Sequence, residues 1–297
     1  GKSLALFLVL FFLPFIKSSD NIIHDVCNGV QDIESCYSIL QSELHLQDAS
    51  DTNAVISAAL RVTLNEARSA IDMITKFTTL SISHREQQAI EDCKELLDFS
   101  VSELAWSLDE MKMIRSGSNN FHYDGNVKAW LSAALSNEDT CLEGFEGTDR
   151  RLEAFIKGSL KQVSVLIANV LGLYTQLHTT PPRNLTVDAG FPDWMSEIDQ
   201  QLVRNGELGI HADTVVSLDG KGKYRAISDA INNAPSYSAR RYVIYVKKGQ
   251  YHENVDMKRK KTNIMLIGDG IGKTIVAGSR NFMQGWTTFR TATVGMI

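Results

Sequence analysis

The strongest constraint on the fold is a change of hydrophobic period near residue 211. Before it, apolar residues recur every three or four positions; after it, they come in short β-rich runs. YVIYV at 242–246 and NIMLI at 263–267 lie about twenty residues apart, each closed by a Lys/Gly or Gly-Asp-Gly turn, the pattern of repeated parallel coils. With 297 residues, 43% hydrophobic and 22% charged, the chain can bury a sizeable core and divides into two domains.

The first part reads as helix. Residues 4–16 (LALFLVLFFLPFI) are apolar, follow Lys2 and give way to Ser18 and Ser19. Such a stretch is too short for a bilayer span and reads as a secretory signal over residues 1–19. Short helical segments follow at 22–46. Ile56, Leu60, Leu64, Ala67, Ile71, Ile74 and Phe77 then share one helical face, which Asp51 or Thr52 can cap. Ile90, Cys93, Leu97, Val101, Leu104, Leu108 and Met111 mark a second helix. Val127, Trp130, Leu131 and Ala134 mark a shorter third, and Leu152, Ile156, Leu160, Val163, Ile167, Val170, Tyr174 and Leu177 a fourth. Four stripes joined by polar turns predict an antiparallel four-helix bundle with a helical hairpin extension, over residues 22–178.

All four cysteines lie in this part. Cys27 and Cys36 are close enough to clip a turn, which leaves Cys93 to pair with Cys141; a secreted chain favours disulfides, and no CxxC or neighbouring His pair supports zinc. The histidines are isolated, and Trp106 and Trp130 read as core. Charge is unevenly placed: 14 basic against 24 acidic residues before Arg183, and 16 against 11 from there on. The acidic part, lacking catalytic groups, reads as a binding or masking module; the basic part tolerates a polyanion, and the two parts can attract one another.

The signal-then-bundle layout, the Cys27/Cys36 hairpin and the Cys93/Cys141 pair resemble the plant invertase and pectin methylesterase inhibitor family. That resemblance implies a bundle that docks on a target enzyme and blocks its cleft. Residues 179–210 form a linker with Pro181, Pro182 and Pro192 and a glycosylation sequon at Asn184. It resembles the processing linker of pectinesterase precursors, with Gln200, Gln201, Leu202 and Val203 where that linker carries a dibasic motif.

From 211 onward the sequence predicts a strand at 215–218, a helix at 224–234, the two runs above, and strands at 274–277 and 287–294: the start of a right-handed parallel β-helix over residues 211–297. Gly268, Gly270 and Gly272 fit neither GxxxxGK[ST] nor GxGxxG and read as a turn, and the Lys258 to Lys261 run reads as a solvated turn meeting an acidic polysaccharide.

Gly249, Tyr251 and Glu253 form the GxYxE signature of plant pectinesterases, and the blocks around it match that family in order. Glu253 reads as structural, accepting hydrogen bonds at a coil corner. The resemblance implies hydrolysis of pectin methyl esters by two aspartates, with a Gln at the oxyanion and an orienting Arg, and with no metal or organic cofactor. The blocks that carry those groups are absent: Gln31 and Asp32, Gln47 and Asp48, and Asp98 and Phe99 lack the residues that should follow. Only Thr288 transfers, as a substrate contact. The resemblance implies a secreted cell-wall pectinesterase precursor that stops before its catalytic coils and does not hydrolyse esters, and an unfinished stack of coils is expected to leave residues 211–297 unstable alone. Its expected partners are pectin and a pectinesterase domain, with no nucleic acid and no membrane after signal removal. The competing reading is a secreted inhibitor or masking protein of pectinesterase or invertase, and a third is polysaccharide anchoring by the basic part.

Overall fold

The computed structural model describes residues 19–44, 51–79, 83–116, 121–178, 191, 196–204 and 211–296. The expected signal at residues 4–16, the sequon at Asn184 and nearly all of the linker lie outside the described residues. Gln200 to Val203 fall in a short helix, Glu197–Arg204.

The chain divides into two compact units. The first takes the described residues up to Ala70 with Ser100–Leu135 and Leu160–Thr179; the second takes Ile71–Phe99, Ser136–Ser159 and Thr180–Ile297. Helices α1 (Ser19–Cys27), α2 (Ile33–Glu43), α3 (Thr52–Thr75), α4 (His84–Arg115), α5 (Phe121–Gly144), α6 (Arg150–Leu177) and α7 (Glu197–Arg204) come first in the chain.

In the first unit, the Cys27–Cys36 disulfide ties α1 to α2 with 5.8 Å between Cα atoms. The side chain of Asp32 caps α2 by accepting from the Ser35 amide at 2.9 Å. Asn169 of α6 donates to the carbonyls of Val26 and Asn28 at 2.8 and 2.7 Å, satisfying orphan acceptors at the end of α1. Asp51 caps α3 through the Asn53 amide. Ile56, Leu60, Leu64, Leu104, Met111, Val127, Leu131, Val163, Ile167, Val170 and Tyr174 are buried. Trp106 is not core: it is 45% exposed and meets the Trp130 ring at 5.7 Å, because an apolar stripe wide enough to include it extends past the contact face.

In the second unit, α4 opens with a capping box: the Ser83 amide donates to the Glu86 carboxylate at 3.0 Å and the Glu86 amide to the Ser83 hydroxyl at 3.2 Å. The Cys93–Cys141 disulfide joins α4 to α5. Helix α5 is not short, running on to Gly144, because its inward face continues after Ala134 through Glu138 and Cys141, both buried. A buried carboxylate at that position hides the stripe from an apolar pattern.

The same unit holds the parallel strands. Thr214–Val216 (β1), Tyr242–Val246 (β2) and Ile264–Gly268 (β5) form one ladder; Gly249–His252 (β3) pairs with Thr274–Ala277 (β6), and Val255–Met257 (β4) with Val294–Met296 (β7). Every pairing is parallel and joins a strand to one a full turn later, as between Tyr242 and Ile264. Helix α8 (Ile227–Asn233) covers the first coil, packing Ile227, Ala230 and Ile231 with Val216, Ile244, Val246, Tyr251 and Val255. It is shorter than the predicted 224–234, because Tyr224 bridges in parallel to Val216 instead. Nor are residues 287–294 one strand. Thr288–Thr291 is a helical turn (α9), followed by β7.

The glycine-rich turn is bound between coils. Asp269 accepts from the Tyr245 hydroxyl and the Lys248 amide, and the Thr274 hydroxyl donates to the Val246 carbonyl at 3.1 Å. The Lys258 to Lys261 run is not wholly solvated. Lys261 donates to the carbonyls of Asn232 and Ala234 at the end of α8, and burial lowers its pKa, with Lys260 adding to that effect.

Candidate functional site

The GxYxE residues converge on one corner of the coils. Gly249 has φ +155°, and a Cβ there would stand 2.7 Å from Leu218 Cδ1, so the chain turns into β3 only with glycine. Tyr251, 1% exposed, fills the core, and its hydroxyl donates to the Lys247 carbonyl at 2.8 Å. Burial pushes its phenol pKa up. Glu253 turns its carboxylate onto the N-terminus of α8, accepting from the Ile227 amide at 2.8 Å, the Ser228 amide at 2.9 Å and the Ser228 hydroxyl at 2.6 Å. Those are orphan donors of a helix whose own N-cap, Ala226, has no side-chain oxygen. The acid of the signature thus fastens the helix to the strands.

Thr288 stands elsewhere, exposed on α9, between residues held by α4. The buried Thr287 hydroxyl donates to Asp92, the Arg290 Nε donates to Asp92 at 2.7 Å, and the Arg290 Nη2 donates to Glu95. Arg290 is deeply covered: burial works against its charge, but the two carboxylates outweigh that and hold its pKa above the usual arginine value. Around this core, the Arg85 guanidinium lies 4.0 Å from the Phe282 ring centre and donates to the Trp286 carbonyl at 3.5 Å. Arg259 pairs with Asp98 at 3.3 Å and covers the Phe99 ring, which meets Phe289 edge-on at 6.4 Å. Gly144 packs here too, its absent Cβ facing Thr287 Cγ2 at 3.6 Å. The pairing also explains why α9 is a turn of helix: Thr287 and Arg290, three apart, reach one carboxylate from a common face, whereas a strand would send them to opposite faces.

Helix α4 carries a second regular stripe beside its apolar one. Arg85, Gln88, Asp92, Glu95 and Phe99 are spaced 3-4-3-4, a continuous face on the same helix that is polar until it ends at Phe99. That spacing, beside a uniquely basic C-terminal part, is the signal that could have found it.

Asp213, Asp219 and Asp256 are held by neighbouring donors in the coils and their turns. Asp213 accepts from Arg240 and from the Val243 amide, Asp219 from the Ser217 hydroxyl and the Lys221 amide, and Asp256 from Arg280. Hydrogen bonds from Arg240, the Ser217 hydroxyl and the Tyr245 hydroxyl lower the pKa of Asp213, Asp219 and Asp269 respectively. Such groups remain ionised near neutrality. A general acid needs the opposite shift.

Fold and site together define a two-part protein: disulfide-clipped helices followed by parallel coils whose corner is fastened by a glutamate. The model described as Plant invertase/pectin methylesterase inhibitor matches residues 21–173, and the one described as Pectinesterase matches residues 213–297. The chain belongs to the plant invertase/pectin methylesterase inhibitor family and continues into a pectinesterase region. It is 50% identical over 292 residues to the protein numbered 22 among the Arabidopsis thaliana pectinesterase/pectinesterase inhibitors, covering 93% of this chain and 53% of that one. Against the Prunus persica pectinesterase/pectinesterase inhibitor PPE8B it is 38% identical over 297 residues, covering 99% and 52%. A solved pectin methylesterase from carrot matches 29% of this chain and 27% of its own at 48% identity, with a TM-score of 0.28. The chain spans about half the length of the curated relatives it matches.

Proposed function

We propose that the protein represented by this chain removes methyl esters from cell-wall pectin, and that residues 1–297 alone do not carry out that reaction. The observation that carries this reading is the pair of successive family matches, inhibitor type then pectinesterase type, in a chain whose Glu253, Asp213 and Asp256 carboxylates are engaged in holding the fold. Ester cleavage through an acyl-enzyme needs two carboxyl groups at one carbonyl, one ionised as nucleophile and one protonated as acid. Glu253, caught by α8, and Asp213, Asp256 and Asp269, caught by their own cations, hydroxyls and amides, fill neither role. Thr288, exposed, remains the substrate contact. Two disulfides support an oxidising compartment and secretion to the wall, and the parallel ladders support the opening coils of a β-helix.

A second reading is favoured by the grip of α4 on residues 286–290: the helices act as an inhibitory module toward pectinesterase coils. Adding the purified chain to a complete pectinesterase tests it. Dose-dependent loss of methanol release is expected, and undiminished release at a large excess rejects the inhibitory role.

A further inference from the structure

We propose that the face of α4 formed by Arg85, Asp92, Glu95 and Phe99, charged at its centre and closed by a ring, is a recognition surface for a pectinesterase coil, and that its occupant here is the chain's own segment 286–290. The inference rests on the inhibitory reading above and adds to it the surface, the target and the chemistry of the contact. Four observations carry it. The central contact is a fork: one guanidinium, Arg290, meets two carboxylates that lie three residues apart on α4. Asp92 also takes the Thr287 hydroxyl, so a single buried carboxylate reads both ends of a Thr-x-x-Arg turn. Arg85 and Phe99, seven residues to either side of Asp92, close the contact with a cation over Phe282 and a ring edge against Phe289. Finally, Asp92 adjoins Cys93, whose disulfide to α5 fixes the backbone from which the fork projects, and Thr287 packs against Gly144 at the end of α5.

The consequence concerns Thr288. Its side chain stays exposed, but Thr287, Phe289 and Arg290 are held on α4, so a polyuronate following this segment meets the helix. The helix and the polymer therefore compete for one stretch of coil, and Asp92 and Glu95 stand where uronate carboxylates would otherwise approach Arg290.

The test uses the full chain and amide hydrogen exchange at residues 286–291. Arg290→Gln removes the fork from the coil side, and Asp92→Asn with Glu95→Gln removes it from the helix side. Both variants are expected to exchange these amides on the order of a hundredfold faster while amides 242–246 keep their protection. Unchanged exchange at 286–291 in either folded variant overturns the proposal. Should a variant fail to fold, Gly144→Cys with Thr287→Cys, which gives up the Thr287 hydroxyl contact and keeps the Arg290 fork, decides the matter. Ready cross-linking of those two positions supports the grip, and free thiols after mild oxidation overturn it. Exchange reads neither ester cleavage nor inhibition, so a chain that inhibits pectinesterase without protecting residues 286–291 rejects this surface and leaves the inhibitory reading standing.

Discussion

Glu253→Ala separates a fastening role from a chemical one. The carboxylate accepts three hydrogen bonds, two of them from backbone amides at the first turn of α8, and Ile227, which supplies one, is 2% exposed. Alanine leaves both amides without their acceptor and removes a negative charge from the positive end of the helix. A lost cap costs about 0.5–2 kcal/mol, and charge-assisted bonds to half-buried donors raise the total to roughly 2–4 kcal/mol. Because α8 covers Val216, Ile244 and Val255, the loss is felt across the first coil. Exchange of amides 227–231 should therefore quicken by roughly thirty- to several-hundredfold. Glu253→Gln keeps one acceptor oxygen and should cost about half as much. Exchange within threefold of the parent in Glu253→Ala would refute the fastening role.

Other outcomes follow from the first unit and the disulfides. His178 stacks on the Tyr174 ring and lies 3.0 Å from Asn53 Oδ1; burial lowers its pKa, Asp124 opposes and Lys128 adds to the lowering. Its folded pKa lies below the unfolded value near 6.5, so the unfolded state binds more protons in between, and stability should fall as pH drops from about 7 through that window. Denaturation midpoints at a series of pH values check this, and His178→Phe should flatten the slope. Removing the Cys93–Cys141 bridge, with its 48-residue separation, should cost about 4 kcal/mol, and removing Cys27–Cys36, with a separation of 9, about 3 kcal/mol, both read from denaturant midpoints.

Much of this was legible in residues. The strand runs at 242–246 and 263–267 stand out because their apolar content is dense, and both appear within a residue of where the pattern puts them. Strand β3 did not stand out: GQYH alternates around a single buried residue, Tyr251, and its pairing with β6 is a contact across 25 positions that no local pattern reveals. The apolar stripe of α5 ends at Ala134, because the next inward positions include Glu138, a buried carboxylate that an apolar pattern does not count. The α4 grip was illegible for a related reason. Apart from Phe99 its members are charged or polar, and their meaning depends on a partner almost 200 residues away.

The proposed division of labour meets its plainest test in one assay, methanol release from highly methyl-esterified pectin by the purified chain, run beside a complete pectinesterase. No release above the buffer rate is expected, because the coil carboxylates Asp213, Asp256, Asp269 and Glu253 are held by Arg240, Arg280, Tyr245 and the α8 amides. Catalytic release that scales with chain concentration would contradict that account and place an active pair within residues 1–297.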